Sequence, residues 1–355
     1  MNTHTIDTSA PVISADAYDT GAFYADADAI ATVTNTTAAN AVALPSPDAA
    51  TAELLAAAHE AGRRAVPAPL AETALVARPL LRRAGLTVPD GPLSYAIAPD
   101  LTIRYAHPAT SAVGSAGCSG EDDTLLVTGT LRRVPWGRAA GAVVVLATAP
   151  FGPVLFTLAP DQAVLTPGGN LAEEPRDDLH LAGLEIPASR VRRVPRELLA
   201  EAELRAALAR AALIAGAAER CVELTVAHTT ARTQFGRPLS RFQAVKQEEA
   251  RLIEEAALVR AAVQSAATPL DTGGPAAHFT VAAAKTQASA SAAEIARIAH
   301  QLHGAIGITR LNPLHLATTR LWSWRDEDGD ETHWARRLAR PLTATTLWPT
   351  LTSTP

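Results

Sequence analysis

The sequence predicts an α+β chain of several units: N-terminal helices, a central small antiparallel β-barrel and a C-terminal four-helix bundle. Three observations predict it. Helical spacing of apolar residues begins near Ser46, short β-branched runs replace it between about Pro92 and Pro195, and long helical stripes return after Pro195. A chain of 355 residues with 48% hydrophobic and 19% charged residues can bury such layers.

The units are taken in order. Residues 1–44 are rich in Thr, Asn, Asp and Ala without periodicity, and read as a loose N-terminal segment. In 45–91, Ser46-Pro47 offers a cap and a first-turn proline, after which Leu54, Leu55, Ala58 and Ala61 share one face. A second short helix over Leu70 to Ala84 carries Leu75, Leu80 and Leu81 and is expected to break at Pro79. In 92–195, runs such as Ala142 to Leu146 and Val154 to Phe156, bounded by Gly, Pro, Asp and Asn, have the length and spacing of strands in a small barrel or sandwich. The charge-free stretch Ala139 to Pro160 holds Pro150, Gly152 and Pro153 at its middle, so it reads as two buried strands and a turn, not a membrane span.

In 196–350, one helix is expected from Arg196 to about Thr230 and a second from Phe242 to Ala267. After the breaker Pro269 to Pro275, a third runs from about Ala276 to His303, stopped by Gly304. Pro313 to Leu347 makes a fourth, broken one. Long helices joined by short loops form an antiparallel bundle.

Composition excludes several functions. Net charge is -5, without the basic face that nucleic acid requires. Only Lys246 and Lys285 are lysines among 31 basic residues, which reflects coding bias. Cys118 and Cys221 lack metal-ligand spacing, and no Lys or Arg precedes Arg63, so a reduced cytoplasmic chain is expected, with no membrane or export role. Phosphate-loop, GxGxxG, GxSxG and HExxH patterns are missing, as is the Glu-x-x-His pair of di-iron bundles. Glu248, Glu249, Glu254 and Glu255 read as a solvated helix face, and Gly114, Gly117 and Gly120 as a turn.

Two segments carry chemistry. Arg232-Thr233-Gln234-Phe235-Gly236-Arg237-Pro238-Leu239, followed by Phe242-Gln243, joins two bundle helices at a sharp bend. A guanidinium suits a diphosphate, a phenyl ring a flat group, and an amide a sugar or base edge; an ordinary helix–turn–helix corner is the alternative. In Gln301-Leu302-His303-Gly304-Ala305-Ile306-Gly307-Ile308 a helix ends in small residues that admit close backbone approach. Alone, it also reads as a glycine cap beside a buried histidine.

Together these segments resemble the acyl-CoA dehydrogenase family from about Ser46 to Leu338, most specifically in the bundle. The first segment is similar to that family's flavin-binding corner. The second, with Pro313-Leu314-His315 after it, is similar to its second flavin-binding loop. The resemblance implies FAD as cofactor, lying between subunits, with Arg232, Gln234, Phe235, Gln243, Gln301, His303 and Gly304 on the adenine-dinucleotide half of a partner's FAD. It implies a homo- or hetero-oligomer with a homologous chain, since one chain cannot complete the site. The implied reaction is α,β-desaturation of an acyl-CoA or other acyl thioester, in fatty acid or acyl thioester metabolism. A carboxylate removes the α-proton as a hydride leaves for the flavin, and a partly apolar setting raises that carboxylate's pKa toward what the transfer needs.

The chain departs from that pattern. Counted from Gly307, the family's glutamate position falls on Asp328, one methylene shorter, and misplacement on the order of 1 Å can cost about a hundredfold in rate. Glu327 is adjacent and on a regular backbone points elsewhere, while Trp324 to Glu331 also fits a solvated acidic loop. The other family position for the base aligns near Ala206. Arg133 falls where a flavin-contacting tryptophan belongs and Pro135 where a hydroxyl residue belongs, with Trp136 next to it; Val113 to Cys118 matches no flavin loop. Only about fifty residues are helical before the barrel, so the acyl pocket is expected to be wide or incomplete. Three readings follow: a competent enzyme with Asp328 as relocated base, a non-catalytic subunit completing a partner's FAD site, or a flavin-free binding or scaffold protein on the same fold.

Overall fold

The computed structural model describes residues 46, 49–106 and 124–340. The N-terminal segment, the glycine-bearing loop with Cys118 and the chain beyond Arg340 lie outside the described residues.

Helix α1 (Thr51–Arg63) packs across the middle of a much longer helix that follows the strands. Ser46 does not cap α1. Its carbonyl accepts from Ala49 N–H in a preceding turn, and the helix starts where Thr51, Leu54 and Leu55 meet the core. Nor does Pro79 break the second helix. A π-helical turn, Glu72–Ala77, widens the backbone so that Arg78 N–H reaches Thr73 O. Helix α2 (Arg78–Arg83) then begins with Pro79 in its first turn, where the missing N–H costs nothing.

The strands are β1 (Leu93–Ala98), β2 (Thr102–Tyr105), β3 (Thr124–Pro135), β4 (Ala142–Ala149), β5 (Gly152–Leu158), β6 (Val164–Thr166), β7 (Arg176–Pro187) and β8 (Arg192–Arg193). They form two four-stranded sheets, β1-β4-β5-β8 and β2-β3-β7-β6, so the barrel has sandwich form. It is not wholly antiparallel: β1 pairs β4 in parallel. Parallel strands need a crossover, and here the chain visits the second sheet between them. The apolar run in β4 follows from burial on both faces. Val143 and Val145 face the other sheet, while Val144 and Leu146 join the core shared with the helices. Strands β4 and β5 turn at Pro150-Phe151, and no described helix is long and apolar enough to cross a membrane.

The bundle comprises α3 (Arg196–Ala231), α4 (Gln243–Ser265), α6 (Gly274–His303) and the pair α7 (Leu314–Asp326) and α8 (Glu331–Ala339). The breaker is itself partly helical. Ala267–Thr272 forms a short α5, held by burial of Ala267 and Leu270, and the turn falls at Gly273 and Gly274, both at positive φ. Helix α3 is buried nearly all round along its first two-thirds, and its alanines allow close approach. At Gly216 a methyl group would collide with the His59 carbonyl of α1, so the two backbones touch there. Of the α4 carboxylates Glu254 is exposed and the others are only partly solvated: Glu249 accepts from Thr229 and Glu255 from Ser291, while Glu248 pairs with Arg251 and Arg297.

Candidate functional site

Two places hold the residues in question. One is a cleft of about 730 Å³ between sandwich and bundle, lined by Tyr95, Arg133, Arg210, Trp322, Glu327 and Asp328 among others. The second is the bend between α3 and α4.

The cleft floor is a chain of buried charges. Arg210, on α3 and 2% exposed, donates from Nε to Asp328 Oδ2 at 2.9 Å and from Nη1 to Glu72 Oε1 at 2.7 Å, with Glu327 Oε2 at 3.2 Å. Arg176, opening β7, grips Glu327 with two parallel bonds of 2.8 Å and also donates to Glu174. Glu174 further accepts from Arg320 and the Trp324 indole, and Asn170 donates to both Glu174 and Glu327. Tyr95 O–H donates to Asp328 Oδ2 at 2.7 Å.

The break between α7 and α8 explains why two adjacent carboxylates both enter this network. Glu327 is extended, Asp328 is left-handed at φ 54°, and Gly329 follows at φ 92°. The expectation that Glu327 would point elsewhere assumed a regular backbone and is corrected. The solvated-loop reading also fails: the segment is anchored by Arg176, Arg210, Tyr95 and the Trp334 indole, which donates to Asp328 O. Lys285 secures the end of α7, donating to the carbonyls of Trp324 and Arg325.

The protonation states follow. Burial alone would raise the Glu327 carboxyl, but the charges of Arg176 and Arg210 more than reverse it and hold it at about 2. Burial, then the Asp328 charge, pushes the Tyr95 phenol well up, so it stays a donor. Burial lowers the Arg210 guanidinium's pKa, and Glu72 and Glu327 outweigh it, so it remains charged. Burial brings the Lys285 ammonium down to about 8. A carboxylate this stabilised as an anion is a weak proton acceptor, and Asp328 shares one oxygen between a guanidinium and a phenol. Ala206 is buried and offers no carboxylate.

Neither Pro135 nor Trp136 presents a hydrogen-bond donor to this cleft. The proline has no N–H and its carbonyl accepts from Ser94 Oγ. Trp136 packs into the helical core at 2% exposure and does not line the cleft. Arg133 lies at the cleft wall in left-handed conformation beside a register shift in β3.

The bend has the opposite character. Strands β9 (Thr233–Gln234) and β10 (Arg237–Pro238) form a two-residue hairpin, with Phe235 at φ 51° and Gly236 at φ 78°. That geometry matches a hairpin turn with both central residues at positive φ. Phe235 stands 90% exposed at the tip, touching the Phe242 ring edge-on, while Arg232, Gln234 and Gln243 are exposed. No described carboxylate pairs with Arg232. In the second segment Gln301 and Gly304 are exposed, and Gly304 ends α6 at φ 66°. His303 departs from its expected cofactor contact. It is 6% exposed, bonds its own helix at Ala299 O, and stacks on His228 of α3 at 4.5 Å. That stack brings the two segments together. Burial, then the neighbouring imidazole, lowers the pKa of His228, and burial lowers that of His303, so both are neutral near pH 7.

Sequence reading missed Glu72, Tyr95, Glu174, Arg176 and Arg210. A signal existed: Arg210 and Glu72 are charges within stretches otherwise apolar all round, and such groups are buried only when paired.

This order of helices, sandwich and bundle matches known proteins. Residues 202–331 match the family model for the acyl-CoA dehydrogenase C-terminal domain. Its helical bundle therefore carries the acyl-CoA dehydrogenase C-terminal domain. The chain is 44% identical over 105 residues, 29% of this chain and 32% of the relative, to the acyl-CoA dehydrogenase IpdE2 of Mycolicibacterium smegmatis. It is 30% identical over 295 residues, 81% of this chain and 37% of the relative, to the acyl-CoA dehydrogenase FadE34 of Mycobacterium tuberculosis. The matches thus span about a third of the length of these curated relatives. The fold is that of a chain in the ChsE4-ChsE5 complex from Mycobacterium tuberculosis, with TM-score 0.70, 23% identity and coverage of 85% of this chain and 81% of that one.

Proposed function

We infer that this chain is a subunit of an FAD-dependent acyl-CoA dehydrogenase-type oxidoreductase, completing the FAD site of a homologous partner without running the desaturation in its own cleft. The observation that carries this reading is the contrast in side-chain commitment. Asp328 is bonded to Arg210 and Tyr95, whereas Arg232, Phe235 and Gln243 are exposed and no described carboxylate pairs with Arg232.

The residues at the bend fit the diphosphate and adenine half of FAD. Arg232 would meet the diphosphate, the Phe235 ring would cover a flat group, and Gln234, Gln243 and Gln301 would meet polar edges, beside the close backbone approach at Gly304. The cofactor would supply hydride acceptance; this chain supplies binding and orientation. The cleft does not fit a flavin ring, because the wall carries Arg133 and Pro135 where aromatic and hydroxyl contacts belong and the floor is filled by ion pairs. No step is therefore assigned to it. The exposed Ile308 and Leu311 beside the second segment suit cover by a neighbouring subunit, and an acyl thioester is the substrate class of the assembly.

The test is the visible spectrum of the purified chain, alone and co-expressed with homologous dehydrogenase chains. The chain alone is expected colourless, the complex yellow with about half the flavin of a fully loaded homomer. Asp328→Ala should leave desaturation by the complex unchanged. A yellow homomer whose desaturation is lost in Asp328→Ala would instead establish Asp328 as the base, and absence of flavin with every partner would favour the flavin-free scaffold.

A further inference from the structure

We propose that the cleft between sandwich and bundle is a binding site for a small carboxylate with an apolar body. The proposal concerns this chain's own cleft and stands apart from the bend that faces a partner.

Charge is the first argument. Each acidic residue lining the cleft has a guanidinium partner: Glu327 has Arg176 and Arg210, Asp328 has Arg210, and Asp326 has Arg325 at 3.3 Å. Arg132 and Arg133 are not. Both line the cleft, both are exposed, and no described carboxylate lies within ion-pair distance of either guanidinium. A concave site with two unmatched cations attracts anions.

The floor gives an independent argument. Arg210 lines the cleft, and its Nη2 is buried without a hydrogen-bond partner although Nε and Nη1 are both engaged. A charged donor buried without an acceptor is destabilising, and a carboxylate satisfies it once the floor side chains shift to uncover Nη2. Backbone geometry supports the wall: the register of β3 shifts between Leu131 and Val134, and Arg133 holds φ 51°. Bulges and strained residues of this kind re-aim side chains at functional sites.

The remaining lining sets the rest of the ligand. Ile97, Leu171 and Trp322 contribute apolar surface, with Leu171 64% and Trp322 38% exposed. A volume of about 730 Å³ admits a drug-sized molecule. A guanidinium donates two parallel hydrogen bonds to a carboxylate, and the indole covers an aliphatic or aromatic body.

The test uses the full chain with 4-phenylbutyrate and decanoate, each beside its primary amide, and inorganic phosphate, followed by Trp fluorescence and calorimetry. At least one carboxylate should bind at least tenfold more tightly than its amide. Arg132→Glu and Arg133→Glu should each weaken it at least tenfold with the melting temperature unchanged. Arg210→Lys should also weaken it; because that change touches the buried network, Arg133→Glu keeps the test decisive if the variant unfolds. Binding of neither carboxylate, equal binding of acid and amide, binding indifferent to Arg133→Glu, or phosphate binding without carboxylate binding would each overturn the proposal.

Discussion

The cleft and the bend use the same side-chain types to opposite ends. In the cleft, Arg210 and Arg176 are buried and committed to Glu72, Glu174, Glu327 and Asp328. At the bend, Arg232 and Phe235 are exposed and uncommitted. Burial makes the first group a structural liability unless every charge is matched, so it locks the junction of three elements. Exposure leaves the second group free to meet something outside the chain. Within one protomer, then, the buried cleft floor gives rigidity and the exposed bend gives recognition.

The contrast breaks most visibly if the cleft is unpaired. Arg210→Met would leave Glu72, Glu327 and Asp328 without their shared cation and should cost about 3–5 kcal/mol in urea unfolding; a loss below about 1 kcal/mol would show the network to be solvated. Acid should act in the same direction. The Glu327 carboxyl lies at about 2 in the folded chain against 4.5 ordinarily, so its contribution is present above about 4.5 and is lost as pH falls toward 2. The urea midpoint followed from pH 7 to pH 3 should fall, and Glu327→Gln should flatten that limb. A midpoint indifferent to pH in the parent chain would contradict the pairing.

The bend should answer differently. Arg232→Ala and Phe235→Ala should change stability by no more than about 0.5 kcal/mol, as exposed residues do. Flavin retention by a co-expressed complex should nonetheless weaken by about tenfold, the loss of one charge-assisted contact of about 1.4 kcal/mol. Equilibrium dialysis measures it, and unchanged retention would detach the bend from FAD. The smallest effect concerns the stack behind it. Folding lowers the pKa of His228 and His303, so their contribution is present above the ordinary imidazole value of about 6.5 and is lost as pH falls below it. Amide exchange at Arg232 to Leu239 should quicken between pH 7 and pH 5.5, and less so in His228→Asn.

Long elements were legible because their signals are local. The stripe Leu204, Leu208, Ala211, Ala215 and Ala218 marked one helix from Arg196 to about Thr230, and the structure has Arg196–Ala231. Phe235-Gly236 marked a sharp bend, and both residues hold positive φ there. Pro79 and Pro269 misled, since a proline in the first turn of a helix segment removes no hydrogen bond and burial of Leu80 and Leu270 holds the helix around it. The face of Glu327 was misjudged because a left-handed Asp328 cannot be inferred from composition.

The amino acids alone determined where the rods and strands run and which short segments could meet a dinucleotide, because periodicity, glycine and proline act over a few residues. Only the folded chain decided that Asp328 is tied to Arg210 and Tyr95, that His303 turns inward on His228, and that Arg132 and Arg133 meet no described carboxylate at a cleft. Those outcomes depend on which distant charges burial forces together, and long-range pairing of that kind leaves no spacing in the sequence to read.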